Sequence, residues 1–238
     1  CERTVNAMHA CLLKVPWSGS GKGLNWCLHG FTKPVSNWCE RVLREQGGLT
    51  AEPIYNKVKD FALEFYSDGQ GEVRFAGYSV FSTNEHGAYT GNLLASDGQI
   101  EESIACCLSL EKLTGIREAL RAELASIYGN TYTGYLGVDM MVCRSDKENG
   151  YRVHPCVEIN MRMNMGVVAR LFYDRFVAPG SKGCFAVEYV PDNETLRARH
   201  EQDMHDYPLT VEQGRLASGY LPLVPVTGKS CYRAYVRI

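Results

Sequence analysis

The sequence predicts an α+β protein built on antiparallel strand pairs, and three observations support this. The apolar and aromatic runs Phe61–Tyr66 and Val73–Ser82 flank the polar turn SDGQG, which is typical of a β-hairpin. Tyr135–Cys143 and Tyr151–Asn160 flank a second polar loop, RSDKENG, in the same way. Helical patterns do not follow every strand, so the regular strand–helix alternation of a doubly wound parallel sheet is missing.

Composition excludes several classes of protein. The 238 residues are 45% hydrophobic and 22% charged, which suits one large globular domain or two small lobes. A net charge of -2 gives no broad basic field, so nucleic acid is not an expected partner. No stretch has the apolar length needed to span a bilayer, and the opening residues CERTVNAMHA do not resemble a signal peptide, so no membrane partner is expected.

The ten cysteines predict neither a disulfide scaffold nor a zinc site. No C-x-x-C motif occurs, and only Cys106 and Cys107 are adjacent. We expect most of the cysteines to be small buried hydrophobic residues in a reducing compartment, which predicts a cytoplasmic protein.

The first third of the chain predicts a short strand, a Gly/Ser loop, a second strand, a helix and an extended segment. Thr32 would cap the helix, with Pro34 in its first turn and Gly47 at its end. The predicted ranges of the strands and the extended segment are Ala10–Val15, Leu24–Leu28 and Leu49–Tyr55.

The rest of the chain predicts several helices, a polar glycine-containing segment at TNEHGAYTGN and two further strands. Apolar residues at helical spacing predict the helices. Their expected ranges are Glu101–Leu113, Ile116–Tyr128, Gly166–Val177 and Glu194–His205, and the two strands are Cys184–Val190 and Cys231–Ile238.

The loop PWSGSGKGLNW contains Gly21-Lys22 but is not a Walker A loop. That motif requires Ser or Thr after the lysine, a glycine five positions before Gly21, and a helix immediately afterwards. Here Gly23 follows the lysine, Pro16 occupies the earlier position, and an extended segment comes next. Two interpretations remain: a phosphate cradle of exposed backbone N–H groups assisted by Lys14, or a flexible hairpin turn beside a structural lysine.

The segment VEINMRMNMG carries the stronger signal. In a strand, Val157, Ile159 and Met161 would face a core while Glu158, Asn160 and Arg162 share the opposite face. In the preceding strand, GVDMMV, Asp139 lies opposite the apolar positions, so a hairpin would bring it near Glu158 and Asn160. An acid, an amide and a second acid suit Mg²⁺, which prefers oxygen ligands, although solvated charges on an edge strand are the alternative. For Met161, Met163 and Met165, core packing is a better account than a cofactor site.

Three stretches, in this order, resemble the ATP-grasp superfamily: LLKVPWSGSGKGL, TAEPIYNKVKDFALEF, and GVDMMV followed by VEINMRMNMG. They span Leu12–Gly166, and the E-x-N-x-R element is the most specific. The resemblance implies an ATP-grasp fold with two α+β lobes whose antiparallel sheets enclose the nucleotide. It implies a first lobe at 1–56 and a second lobe with the metal site at 57–182. Beyond the resemblance, we expect residues 183–238 to be a carboxy-terminal extension packed on the second lobe.

The resemblance also implies a role for each matching residue. Lys14 would contact the α- and β-phosphates of ATP, and Arg162 would stabilise charge on the transferring phosphoryl group. One or two Mg²⁺ ions would be bound by Asp139, Glu158 and Asn160. The remaining nucleotide contacts would come from a loop over the β- and γ-phosphates (Ser18, Gly19, Ser20, Gly21 and Gly23), an adenine hinge (Glu52, Pro53, Ile54 and Tyr55) and a ribose-contacting or second-lobe polar residue (Asp60).

The implied activity is an ATP- and Mg²⁺-dependent ligase. It would activate a small-molecule carboxylate as an acyl phosphate for attack by an amine or another nucleophile. The family usually has an amino-terminal domain, and only thirteen residues precede Lys14, so the resemblance also implies a missing amino-terminal domain. The alternative is a catalytically inactive nucleotide-binding module, or a fragment of a larger ligase. The sequence identifies neither the carboxylate nor the nucleophile.

Overall fold

The computed structural model of the protein describes residues 1–19, 22–85, 87–145 and 150–238. These residues form two compact units. The first contains residues 1–56 and 83–89, and the second contains residues 57–82 and 90–238. The predicted three-part division at 56/57 and 182/183 stays a prediction.

The first unit has two helices and a three-stranded antiparallel sheet. In chain order its elements are α1 (Glu2–Met8), β1 (Cys11–Lys14), β2 (Leu24–Cys27), α2 (Lys33–Gln46) and β3 (Thr50–Pro53). The sheet has the order β2-β1-β3. α2 begins after Thr32, has Pro34 in its first turn and ends at Gly47 in a left-handed conformation, as predicted. α1 was not predicted.

The second unit is built on a large sheet. Its elements in chain order are β4 (Lys57–Asp68), β5 (Val73–Thr83), β6 (Tyr89–Leu94), α3 (Asp97–Ala105), α4 (Leu110–Tyr128), β7 (Thr133–Ser145), β8 (Gly150–Asn160), α5 (Met165–Phe176), β9 (Gly183–Tyr189), α6 (Asn193–Asp206), β10 (Thr210–Glu212), β11 (Arg215–Ser218), β12 (Tyr220–Pro222) and β13 (Tyr232–Arg237). The sheet has eight strands in the order β12-β13-β9-β6-β5-β4-β7-β8, so β9 and β13 extend it.

Helices cover both faces of this sheet. On one face, alternate residues of β4 and β7, such as Phe61 and Val138, form a buried cluster with α3 and α4. On the other face, Ala169 and Tyr173 of α5 pack with Phe185 of β9. The core therefore lies in two layers, and the Glu64 side chain on the second face of β4 meets the beginning of α5.

The α3–α4 boundary differs from the prediction. The predicted break fell near Gly115, but Gly115 lies inside α4. Serine caps explain the difference: Ser96 forms a capping box with Gln99 at the start of α3, and Ser109 accepts from the Lys112 N–H at the start of α4. The segment TNEHGAYTGN, interpreted only as polar, contributes its last residues to β6.

The expectation that most of the cysteines are buried is wrong. All ten cysteines are free thiols, but only Cys11, Cys27, Cys39 and Cys143 are buried. The cytoplasmic location based on them stays a prediction. Across the described ranges, no helix is both long and apolar enough to cross a membrane.

Candidate functional site

The β7–β8 hairpin brings the predicted metal ligands together. Asp139 lies directly opposite Glu158, and Gly137 lies opposite Asn160. Because directly opposite residues of an antiparallel pair share a face, both carboxylates and the amide project from the same side of the sheet. The Asn160 Nδ2 donates to Asp139 Oδ2 at 3.1 Å, and the Arg162 guanidinium donates to Asn160 Oδ1.

The apolar side of the hairpin agrees with the prediction in one strand and not in the other. Val138 and Met140 of β7 are fully buried, as expected. In contrast, Ile159 is 37% exposed, Met161 38% and Met163 57%. Among the described residues β8 is the edge strand of the sheet, with a neighbouring strand on one side only. The expectation of core packing is therefore wrong for Ile159, Met161 and Met163. It is confirmed for Met165, which packs against the buried cluster formed by α5 and β9.

Asp60 of β4 joins the same polar face. β4 pairs with β7 so that Asp60 lies opposite Met141 and Ala62 opposite Asp139. Asp60 therefore projects to the side on which Asp139 projects, and its carboxylate forms an ion pair with Lys57.

Burial and like charge act together on Asp139. Desolvation, together with the charges of Glu158 and Asp60, raises the pKa of this carboxyl to about 7, while the Asn160 hydrogen bond and Arg162 oppose the shift. A cation bound at this face would relieve the repulsion. Asn160 Oδ1 has a second lone pair for such a cation. The side-chain chemistry therefore fits Mg²⁺, although the described part of the chain holds no cluster of three His, Cys, Asp or Glu side chains with metal-binding geometry.

Glu64, two residues beyond Ala62 on β4, was missed by sequence reasoning. It is 1% exposed, and its Oε2 accepts from Asn164 Nδ2 at 2.9 Å. Burial, with a smaller contribution from the Asp139 charge, raises the pKa of Glu64 to about 8 against the opposing effect of the Asn164 hydrogen bond. Its spacing of four residues from Asp60, which puts two acids on the same face of one strand, was the available signal. Asn164 likewise continues the alternation of Glu158, Asn160 and Arg162.

The first unit contains the predicted phosphate lysine in an ion pair. Lys14 ends β1, and its Nζ lies 2.6 Å from Glu52 Oε2 on β3. The two strands pair with Leu12 opposite Glu52 and Lys14 opposite Thr50. The Lys14 ammonium thus lies on the three-stranded sheet, with its charge balanced by a neighbouring acid.

The glycine-rich loop connects β1 to β2. It is closed by the Val15 N–H, which donates to the Gly23 carbonyl at 3.1 Å, and by the Lys22 N–H, which donates to the Gly19 carbonyl. Gly23 has φ +73°, where a Cβ would lie 2.3 Å from a Val15 methyl, so glycine is required. Ser18 is exposed. Ser20 and Gly21 lie outside the described residues.

The predicted hinge residues lie at the end of the first unit. Glu52 and Pro53 close β3, and Ile54 and Tyr55 follow it; Tyr55 is exposed and Ile54 is half-buried.

Solved structures of known proteins share this fold. The biotin carboxylase domain of 2-oxoglutarate carboxylase from Hydrogenobacter thermophilus, solved with MgADP, ADP and bicarbonate, matches 100% of this chain and 55% of its own, with TM-score 0.57 and 12% identity. Carboxyaminoimidazole ribonucleotide synthase from Aspergillus clavatus, solved with ATP, matches 99% of this chain and 60% of its own (TM-score 0.56, 12% identity). N5-carboxyaminoimidazole synthetase from Staphylococcus aureus, solved with ADP, matches 98% of this chain and 60% of its own (TM-score 0.55, 12% identity).

These similarities confirm the predicted α+β ATP-grasp fold. The chain spans 55–60% of the length of these three solved chains. No protein-family model matches the sequence, and no curated protein matches it.

Proposed function

We propose that this chain, which has the ATP-grasp fold, is the nucleotide- and metal-binding part of an ATP- and Mg²⁺-dependent ligase. The ligase forms a carbon–nitrogen bond. The observation that carries the proposal is the acidic face of the second unit. Asp139 and Glu158 lie opposite each other beside Asn160, and burial together with the Glu158 charge raises the pKa of Asp139. This cluster of two carboxylates and an amide on one face of the sheet suits a bound divalent cation.

Asp139, Glu158 and Asn160 are the residues that would hold one or two Mg²⁺ ions. Bound there, the metal would supply charge neutralisation for the phosphate oxygens of ATP. Arg162 extends the face with a fixed positive charge and lies within hydrogen-bonding distance of Asn160. It would stabilise the negative charge that spreads over the transferring phosphoryl group.

In the first unit, Lys14 would bind the α- and β-phosphates, exchanging the Glu52 carboxylate for phosphate oxygens. Backbone N–H groups of the loop would bind the β- and γ-phosphates. The proposed nucleotide contacts are Lys14, the loop residues Ser18, Gly19, Ser20, Gly21 and Gly23, the hinge residues Glu52, Pro53, Ile54 and Tyr55, and Asp60. Asp60 projects from the same side of the sheet as Asp139, so a role near the metal is the alternative for Asp60.

The proposed reaction has two steps. A carboxylate oxygen of the substrate attacks the γ-phosphorus, the bond to the β–γ bridging oxygen breaks, and ADP leaves. The nitrogen of an amine then attacks the acyl carbon, inorganic phosphate leaves, and the amine loses its proton. This scheme needs positioning and charge neutralisation, and no nucleophile from the protein.

Trapping of the acyl phosphate tests this function in the intact natural protein. Incubation with ATP, Mg²⁺, a pool of small carboxylates and hydroxylamine is expected to yield ADP and a hydroxamate in equal amounts. Glu158→Gln and Asn160→Ala should abolish both products. ATP binding without ADP formation from any carboxylate pool would indicate an inactive nucleotide-binding module. Absence of both nucleotide and Mg²⁺ binding would contradict the whole assignment.

A further inference from the structure

Glu64 is a buried acid in the middle of the large sheet. It lies opposite Gly77 on β5 and Gly137 on β7, so both neighbouring positions on its face lack a side chain. The Glu64 carboxylate occupies the space beside Gly137, and the Arg170 side chain of α5 covers Gly77. Because burial without a counter-ion is costly for a carboxylate, a Leu would suit this place in the fold better. Stability alone therefore does not explain an acid here.

Two glycines make room for the contact between Glu64 and Asn164. A Cβ at Gly137 would lie 2.0 Å from Asn164 Nδ2 and 2.5 Å from Glu64 Oε2. A Cβ at Gly166 would lie 2.2 Å from Glu64 Oε1 and 2.5 Å from Ser79 Oγ. Real Cβ atoms do not approach so closely, so a methyl group at either position would displace the pair.

Asn164 transmits the position of Glu64 to the segment after β8. Its Nδ2 donates to Glu64, while its Oδ1 accepts from the Val167 N–H and caps α5. One amide therefore fixes both the start of α5 and the end of the short segment that carries Arg162. The Arg162 N–H donates to the Asn160 carbonyl at 3.0 Å, and the Arg162 side chain donates to the Asn160 side chain.

These contacts form a continuous path from β4 to the acidic face. It runs from Glu64 through Asn164 and the Arg162 segment to Asn160, whose amide donates to Asp139. Among the described residues, Glu64 Oε1 has no hydrogen-bond partner, so Asn164 is the one polar group that Glu64 engages there. The Glu64 carboxylate therefore orients one side chain, that of Asn164.

We propose that Glu64 is a positioning residue that, through Asn164, holds Arg162 and Asn160 in place at the acidic face. The inference rests on the proposed function of that face. The residues that orient the direct ligands of a metal commonly change its affinity by about 10–100-fold when replaced. Glu64 would act indirectly, through Asn164, and its replacement would lower the Mg²⁺-dependent part of the affinity for ATP.

The experiment measures the affinity of the intact protein for ATP by titration calorimetry, with Mg²⁺ and with EDTA, and the melting temperature of every variant. Glu64→Leu is expected to fold and to weaken MgATP binding about tenfold, with metal-free ATP binding unchanged. Glu64→Gln keeps a carbonyl that accepts from Asn164, so it should retain the wild-type ratio of the two affinities.

Asn164→Ser keeps the experiment decisive if Glu64→Leu does not fold. Serine caps helices well but is too short to reach Glu64, so α5 is preserved while the link is lost. Asn164→Ser should reproduce the effect of Glu64→Leu, and the double variant should be no worse than either single one. Gly115→Ala, on the exposed side of α4, is the control with no expected effect on either affinity.

The outcomes separate this proposal from the function on which it rests. If Mg²⁺ does not tighten ATP binding by the wild-type protein, the proposed function fails and the inference with it. If wild-type binding depends on Mg²⁺ and both Glu64→Leu and Asn164→Ser keep that dependence, the positioning role is wrong and the function stands. A fall in the melting temperature with equal losses of both affinities would reduce Glu64 to a structural residue.

Discussion

The two units hold their charged residues in opposite ways. In the first unit, Lys14 and Glu52 form a partly exposed ion pair 2.6 Å apart, so each charge already has a partner. In the second unit, Glu64 and Asp139 are carboxylates whose pKa values are raised by burial, and Glu158 lies opposite Asp139. The first arrangement is neutral without a ligand, whereas in the second the carboxyls resist ionisation unless a cation is bound. The comparison indicates that a cation matters most in the second unit.

The largest expected effect follows from removing one acid from the second unit. Asp139→Asn and Glu158→Gln should each weaken MgATP binding by about 10–100-fold, because each removes a charged oxygen ligand. Titration calorimetry checks this. Glu72→Gln, which replaces a largely exposed acid in the same unit, is the matched control and should bind MgATP as the wild type does. Equal binding by all three variants would contradict the difference between the units.

Gly166→Ala probes how tightly the acidic region is packed. Its new methyl group would overlap Glu64 Oε1, so we expect a loss of about 1–3 kcal/mol in the free energy of unfolding. Gly115→Ala has open space inside α4 and should gain up to about 1 kcal/mol. Denaturant unfolding measures both. A loss no larger for Gly166→Ala than for Gly115→Ala would show that Glu64 does not occupy the space beside Gly166.

The pH dependence of stability should also differ between the units. The ordinary pKa values of Glu64 and Asp139 are 4.5 and 3.8, and the folded values are about 8 and about 7. Between these limits the folded state binds more protons than the unfolded state. The free energy of unfolding should therefore fall as pH rises from about 4 to about 8.

Denaturant unfolding at several pH values, without metal, measures this dependence. Glu64→Gln and Asp139→Asn should each flatten the decline, because each removes one group that loses its proton in this window. Glu52→Gln, which removes the acid of the first unit's ion pair, should leave the slope as it is. If the free energy of unfolding falls with pH as steeply in both second-unit variants as in the wild type, other titrating groups cause the decline.

The smallest effect is expected at the ion pair of the first unit. Lys14→Met should change the free energy of unfolding by less than about 1 kcal/mol, since exposed pairs contribute little. The same variant should weaken ATP binding equally with and without Mg²⁺, because its target is phosphate. A loss of affinity seen only in the presence of Mg²⁺ would indicate that Lys14 acts together with the acidic face and not on the phosphates alone.

Local patterns were enough to predict much of the fold and part of the candidate site. Thr32, Pro34 and Gly47 specify α2 through capping and backbone preference, which depend on near neighbours. The alternation around Asp139 predicted its position opposite the apolar side of β7, and the hairpin then followed from the polar loop. These features require no knowledge of the sheet order.

Long-range order explains what the sequence did not reveal. Ile159 and Met161 have the pattern of a core strand, but β8 is the last strand of the sheet, and strand order is set by contacts across the whole chain. Glu64 resembles a solvated acid in sequence. It is buried because β5, β7 and α5 bring Gly77, Gly137 and Gly166 around it, and these residues are distant from it along the chain.

The location of the metal is the central claim, and a paramagnetic probe tests it most directly. In ¹⁵N NMR spectra of the intact protein with ADP, Mn²⁺ in place of Mg²⁺ is expected to broaden the side-chain amide of Asn160 and the backbone amides of 137–139 and 158–160. The amides around Glu72 should keep their intensity. Broadening centred elsewhere, with the Asn160 amide unaffected, would contradict the assignment of the acidic face as the metal site.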